Sequence, residues 1–175
     1  MKKRNIRSLS VSEIGMGCMG FSHGYGQIPD TKYPEEAIRK AFDYGCNFFD
    51  TAEGYGKDLY YPGHNEEIVG RAVKDFRNEV VIATKLHLQP ATVEDCGSAY
   101  AAVRRHLENS LKNLQTDYVD LYYLHRFNLC LVNCRKTPFT YKSLFYESTH
   151  RICDLQIVNI HVDAMQIVQV NVVCL

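Results

Sequence analysis

Four short apolar runs recur along this chain at intervals that leave room for one strand and one returning helix. They are SEIGMGCMG, closing near Gly17; GCNFFDT, closing at Asp50; EVVIATK, closing at Lys85; and DYVDLYYLHR, closing at His125. Their ends lie about 33, 35 and 40 residues apart. Two parallel neighbouring strands need a crossover of roughly a dozen residues or more, so the spacing suits strand–helix repetition. The intervening segments read as helices. Pro34 suits a first helical position, Glu35 and Glu36 complement the helix N-terminus, and Gly45 supplies a stop after the stripe Ala37, Ile38, Ala41 and Phe42. Asn65 is expected to cap a second helix, with Glu66 and Glu67 in its first turn and Ile68, Val69, Ala72 and Val73 on its buried face. Ser98 is expected to cap a third, where Val103, Leu107, Leu111 and Leu114 share one side.

Apolar strands alternating with helices make a mainly parallel sheet covered by helices, an α/β architecture. A doubly wound sheet is one option, but no G-x-G-x-x-G stands between a strand and a helix. A (β/α)₈ TIM barrel is the other, and its active site collects at the C-terminal ends of its strands. Here those ends carry Asp50, Lys85 and His125, with Tyr55 in the loop just past the second. That pattern favours the barrel.

Bulk composition excludes several function classes. At 175 residues with 46% hydrophobic side chains, the chain can build one domain with a real core. Basic and acidic residues balance at 20 each, which leaves no footprint for nucleic acid or an anionic membrane. No apolar run is long enough for a signal peptide or a membrane span, and the seven cysteines are odd in number and irregularly spaced. A reducing, cytoplasmic setting with free thiols is the expectation.

Asp, Tyr, Lys and His at successive strand ends can protonate a carbonyl oxygen while hydride arrives from elsewhere. A free tyrosine, with a pKa of about 10, is a poor acid near neutrality, and a neighbouring Lys⁺ favours the phenolate. Lys85 is expected to fill that role, Asp50 to hold its ammonium, and His125 to hydrogen-bond the carbonyl or share the proton. Each residue also has a plainer reading: a loop or capping aspartate, a solvated lysine, a packing tyrosine, a structural histidine. Four at matching strand ends favour the chemical reading.

Residues 1–126 resemble the aldo-keto reductase family. The resemblance runs through SVSEIGMGCMGFSHGYG, FDTAEGYG, NEEIVGRAVK, VVIATK and RRHLENSLKNLQTDYVDLYYLHR, in family order. It implies a (β/α)₈ barrel preceded by a hairpin, here Lys3–Arg7 against Ser10–Ile14, and NADPH-dependent reduction of a small-molecule aldehyde or ketone. Carried over, Tyr55 looks like the proton donor, Lys85 and Asp50 the pair that makes it a better acid, and His125 the residue that orients the carbonyl. Gly17, Cys18 and Met19, with Asp50, match the turn near the nicotinamide, and the loop His23–Gly26 is expected to border the substrate.

After residue 126 the character changes. All 11 glycines precede that point, and the closing stretch has no regular helical period. Only about the first four strand–helix units of the barrel are expected, without the later units that grip the cofactor, so NADPH binding is expected to be impaired. The alternative to an active reductase is a non-enzymatic fragment that keeps the catalytic side chains without a cofactor site. Open barrel edges would favour self-association. For 127–175 a shifted reading frame is the leading expectation; the coding DNA, read in its other frames beyond His125, tests it. The other readings are a divergent continuation and a zinc site at Cys130, Cys134, His150 and Cys153. The last 20 residues roughly alternate polar and apolar, which suggests β structure.

Overall fold

Lys3–Ile6 (β1) and Leu9–Ser12 (β2) form an antiparallel hairpin in which Lys3 lies opposite Ser12. The computed structural model describes residues 1–28 and 32–125, together with 155–156 and 171–172. The hairpin is tied to the sheet through one residue of GCNFFDT. Asn47 accepts from the Ser12 amide at 2.6 Å, donates through its side chain to the Ser10 carbonyl at 3.0 Å, and donates its own amide to Ser12 Oγ at 3.0 Å.

The expected parallel sheet is present, with strands in chain order: Met16–Gly17 (β3), Phe48–Asp50 (β4), Val81–Leu86 (β5) and Leu121–Leu124 (β6). All three pairings are parallel, with Gly17 opposite Asp50, Asp50 opposite Ala83, and Lys85 opposite Tyr123. Each interval carries the helix expected of it: Tyr33–Asp43 (α1), His64–Val73 (α2), and Ala99–Leu114 following a shorter Pro90–Cys96 (α4 and α3). No helix among the described residues is long and apolar enough to cross a membrane.

Strand alternation divides the core in two. Phe49, Ile82 and Tyr122 point to the helices and pack with Ile38, Ile68, Val69, Val73, Leu107, Leu111 and Leu114. Val81, Ala83 and Leu121 point the other way and meet Val11 of the hairpin. The hairpin therefore closes the N-terminal end of that inner face, and the polar strand ends lie at its opposite end. Arg77 braces the bottom of the sheet: it pairs with Asp120 at 3.0 Å, and Asp120 accepts from the Ile82 amide at 2.9 Å.

Two helix expectations separate. Ser98 caps α4 as expected, its Oγ accepting from the Ala101 amide at 3.1 Å. Asn65 does not cap α2, whose cap position is Gly63; it sits inside the first turn and is fully buried. Glu66 likewise lies in the interior and not at a solvated helix start. It accepts from Thr84 Oγ1 at 2.6 Å and from Asn113 Nδ2 at 3.0 Å, joining α2 to β5 and α4.

Burial raises the Glu66 pKa above its ordinary value, outweighing the hydrogen bonds from Thr84 and Asn113 that pull it down. The folded state therefore holds this proton more tightly than the unfolded chain. Its contribution to stability is complete below the unfolded pKa and is lost as pH rises through the folded one. Urea unfolding of wild type and Glu66→Gln across that range is expected to show the variant gaining on wild type as pH rises. A pH-independent difference would remove Glu66 as the source.

The proposed zinc ligands Cys130, Cys134, His150 and Cys153 lie outside the described residues, as does most of 127–175. Within that stretch Leu155–Gln156 (β7) and Asn171–Val172 (β8) pair antiparallel, with Leu155 opposite Val172.

Candidate active site

Lys85 continues the inward parity of Val81 and Ala83 on β5, one residue before the strand ends. Its ammonium is shared by three acceptors. Nζ donates to Asp50 Oδ1 at 2.5 Å and to the Thr51 carbonyl at 2.8 Å, and lies 3.3 Å from Tyr55 Oη. Asp50 reaches this position because it ends the neighbouring strand on the same face.

The loop after β4 is held in place by its backbone. The Thr51 amide donates to the Ala83 carbonyl at 2.9 Å and the Glu53 amide to the Lys85 carbonyl at 3.1 Å, so pairing continues past the end of the strand. The chain then turns, the Tyr55 amide donating to the Ala52 carbonyl at 3.1 Å. Gly56 follows with φ +101°, where a Cβ would lie 2.9 Å from His64 Cβ and 3.0 Å from the Tyr61 carbonyl oxygen. Only glycine fits that corner. Tyr55 is thereby turned back over the sheet and is only 7% exposed.

Two histidines flank its ring. His23 stacks on Tyr55 with centroids 5.5 Å apart, and His125 meets it edge-on at 5.4 Å. His125 is fixed at the end of β6 by its amide, which donates to the Leu86 carbonyl at 2.8 Å. The four strand-end residues expected from the sequence, Asp50, Tyr55, Lys85 and His125, thus lie in one cluster. Gly17 sits beside Asp50 at the same level, and a Cβ there would meet nothing within 4 Å. Cys18 is placed differently. Its amide donates to the Asp50 carbonyl at 2.8 Å, but its thiol is wholly buried, and burial, followed by the Asp50 charge, pushes its pKa up to about 12. The Cys18 carbonyl is also engaged, accepting from the Phe21 amide at 3.1 Å and from Asn65 Nδ2 at 2.9 Å. Cys18 therefore offers no free group to a ligand, contrary to the expectation that it borders the nicotinamide. Met19 opens a short 3₁₀ turn, Met19–Phe21.

Other members of the cluster were not anticipated from the sequence. Asn65 donates to the Cys18 carbonyl at 2.9 Å and to Ser22 Oγ at 2.5 Å, and accepts from Thr51 Oγ1 at 2.7 Å, so it binds the loops after β3 and β4 together. Tyr123 occupies the same face as Lys85, and burial together with the Asp50 charge raises its pKa to about 12. It stays neutral at ordinary pH. His87 lies 6.5 Å from the His125 ring. Period-two alternation along β6 would have pointed to Tyr123; Asn65 gave no local signal beyond that of a cap.

A family model described as the aldo/keto reductase family matches residues 13–170. The chain belongs to this family. Among curated relatives, the aldo-keto reductase YhdN of Bacillus subtilis (strain 168) is 39% identical over 120 residues, covering 67% of this chain and 35% of that protein. The aldo-keto reductase yakc [NADP(+)] of Schizosaccharomyces pombe is 37% identical over 131 residues, covering 71% of this chain and 36% of that protein. The chain thus spans little more than a third of the length of these relatives. Among solved structures, the holo form of an aldo-keto reductase from Bacillus halodurans superposes with a TM-score of 0.58 at 31% identity, over 74% of this chain and 42% of that one. An aldo-keto reductase from Klebsiella pneumoniae in complex with NADPH gives 0.56 at 33% identity, over the same two shares. These neighbours are aldo-keto reductases, TIM barrels, and the parallel four-stranded sheet of this member corresponds to part of that fold.

Proposed function

We propose that this member of the aldo/keto reductase family carries the proton-transfer side of an NADPH-dependent reduction of an aldehyde or ketone to an alcohol. The observation that carries the reading is the Lys85 ammonium, held by Asp50 and the Thr51 carbonyl and lying 3.3 Å from Tyr55 Oη. Tyr55 gives its proton to the carbonyl oxygen, leaving negative charge on its own oxygen. Lys85 stabilises that charge as it develops, in a largely enclosed setting where such stabilisation counts for more than in water. Asp50 keeps the ammonium from swinging away. His125, beside the Tyr55 ring, hydrogen-bonds the carbonyl oxygen and directs it toward the phenol. Water then returns a proton to Tyr55. Reduced nicotinamide, when bound, supplies the hydride to the carbonyl carbon.

The residues present suit such a group at one end. Gly17 lies opposite Asp50, and a Cβ there would meet nothing within 4 Å, so the backbone is open at that point. Every residue in this proposal precedes residue 127 and lies within residues 13–170, the stretch that the family model matches.

Two measurements on purified, folded protein test the reading: NADPH binding by fluorescence, and loss of NADPH absorbance with a panel of aldehydes and ketones. Carbonyl-dependent oxidation is expected with at least one member of the panel. Folded protein that neither binds NADPH nor oxidises it would leave a chain that keeps these side chains without the reaction.

A further inference from the structure

Glu53 sits two residues before Tyr55, and both of its carboxylate oxygens are occupied. Oε1 accepts from the His87 amide at 2.6 Å, just beyond the end of β5. Oε2 lies 2.7 Å from Nδ1 of His106, on the second turn of α4. Both side chains are largely buried, with relative exposures of 17% and 18%. The other ring nitrogen of His106, Nε2, is buried with no hydrogen-bond partner among the described residues, so Glu53 supplies that ring's polar contact. The Glu53 backbone is engaged as well: its amide donates to the Lys85 carbonyl at 3.1 Å, and its carbonyl accepts from the Gly63 amide at 2.8 Å. One residue of the loop is therefore fastened to β5, to α4 and to the start of α2.

We propose that Glu53 is a positioning residue for the proton donor, and that with His106 it fixes the separation between Tyr55 and Lys85. This rests on the reading of Tyr55 as the donor. Thr51 and Glu53 continue the pairing beside β5, so Glu53 is the last anchored residue before the chain turns into Tyr55. The 3.3 Å between Lys85 Nζ and Tyr55 Oη depends on where that turn begins. Misplacement of a reacting group by about 1 Å can cost roughly a hundredfold in rate. A carboxylate suits the task because it accepts from a backbone amide and an imidazole N–H at once, and charge-assisted bonds are the stronger kind.

The test compares Glu53→Ala with Glu53→Gln, whose amide keeps the oxygen facing the His87 N–H. Well below the unfolding midpoint, Glu53→Ala is expected to lower kcat by about tenfold to a hundredfold, with KM for NADPH changed by no more than about twofold. Glu53→Gln is expected to recover most of the rate. A purely stabilising residue would instead lower the midpoint and leave kcat of the folded protein unchanged. A second readout does not need turnover: the tyrosine Cζ resonance of Tyr55, assigned with Tyr55→Phe in ¹³C-labelled protein, should move in Glu53→Ala and hold its position in Glu53→Gln. If wild type proves inactive, the reductase reading fails, and this resonance still decides whether Glu53 positions Tyr55. Should Glu53→Ala not fold, His106→Leu removes one of the two anchors and is expected to shift the same resonance. An unmoved Tyr55 signal in the folded variant, or unchanged kcat, overturns the proposal.

Discussion

Lys85→Met is expected to reduce carbonyl-dependent NADPH oxidation by about a hundredfold to ten-thousandfold, the range over which a positioned acid–base apparatus acts. The substitution keeps the side-chain stem and removes the ammonium that meets Asp50, the Thr51 carbonyl and Tyr55. Phenolate charge then develops without its cation. Because the missing interaction is made as the proton leaves, the loss should fall on kcat, with KM for the carbonyl little altered. The fold should tolerate the change, since the Asp50 side chain is 33% exposed and can take water in place of the ammonium. Asp50→Asn should cost less, because the Thr51 carbonyl still holds Nζ. Steady-state kinetics beside a thermal unfolding curve checks both, and a Lys85→Met protein within tenfold of wild type in kcat would contradict the assignment.

The largest effect on stability is expected at Gly70. A Cβ built there would lie 2.4 Å from the carbonyl oxygen of Leu114, 2.6 Å from its carbonyl carbon and 2.8 Å from its Cα. These are backbone atoms at the end of α4, so no rotamer change relieves the overlap. The two helices are also tied together by Asn113 and Glu66 at 3.0 Å, which limits their freedom to separate. Alanine in place of glycine favours a helix by about 1 kcal/mol. Overpacking in a core costs typically about 1–3 kcal/mol, and a clash with backbone belongs at or above the top of that range. Gly70→Ala is therefore expected to destabilise by about 2 kcal/mol or more, as measured by urea unfolding. Gly54→Ala is the control, since its added methyl meets nothing within 4 Å. Equal stability of the two variants would mean that α2 and α4 are not packed this closely.

Much of this arrangement was legible in the sequence because its signals are local. Apolar runs closed by Gly17, Asp50, Lys85 and His125 mark strand ends to within one residue, and the leucine stripe with Ser98 marks α4 and its cap. The hairpin, expected from the family resemblance, is present with each strand one residue shorter than expected and the second starting one residue earlier. What the sequence concealed is long-range. Asn65 has the form of a cap, but three partners 14, 43 and 47 residues away engage its side chain. Glu66 looks like a solvated first-turn acid until Thr84 and Asn113 enclose it. Glu53 passes for a loop carboxylate because its partners lie 34 and 53 residues along the chain. Helix α3 buries no side chain, so it has no apolar stripe to announce it.

If Tyr55, 3.3 Å from the Lys85 ammonium, delivers a proton while hydride reaches a carbonyl carbon, the hydride must appear in the alcohol. Deuterium transfer tests it most directly. The purified chain is incubated with NADPH deuterated at the transferable position and an aldehyde, and the alcohol is examined by mass spectrometry. The expected result is deuterium in the alcohol from wild type and little or none from Tyr55→Phe under the same conditions. Folded wild-type protein that yields no deuterated alcohol, or a Tyr55→Phe variant that yields as much as wild type, would contradict the claim.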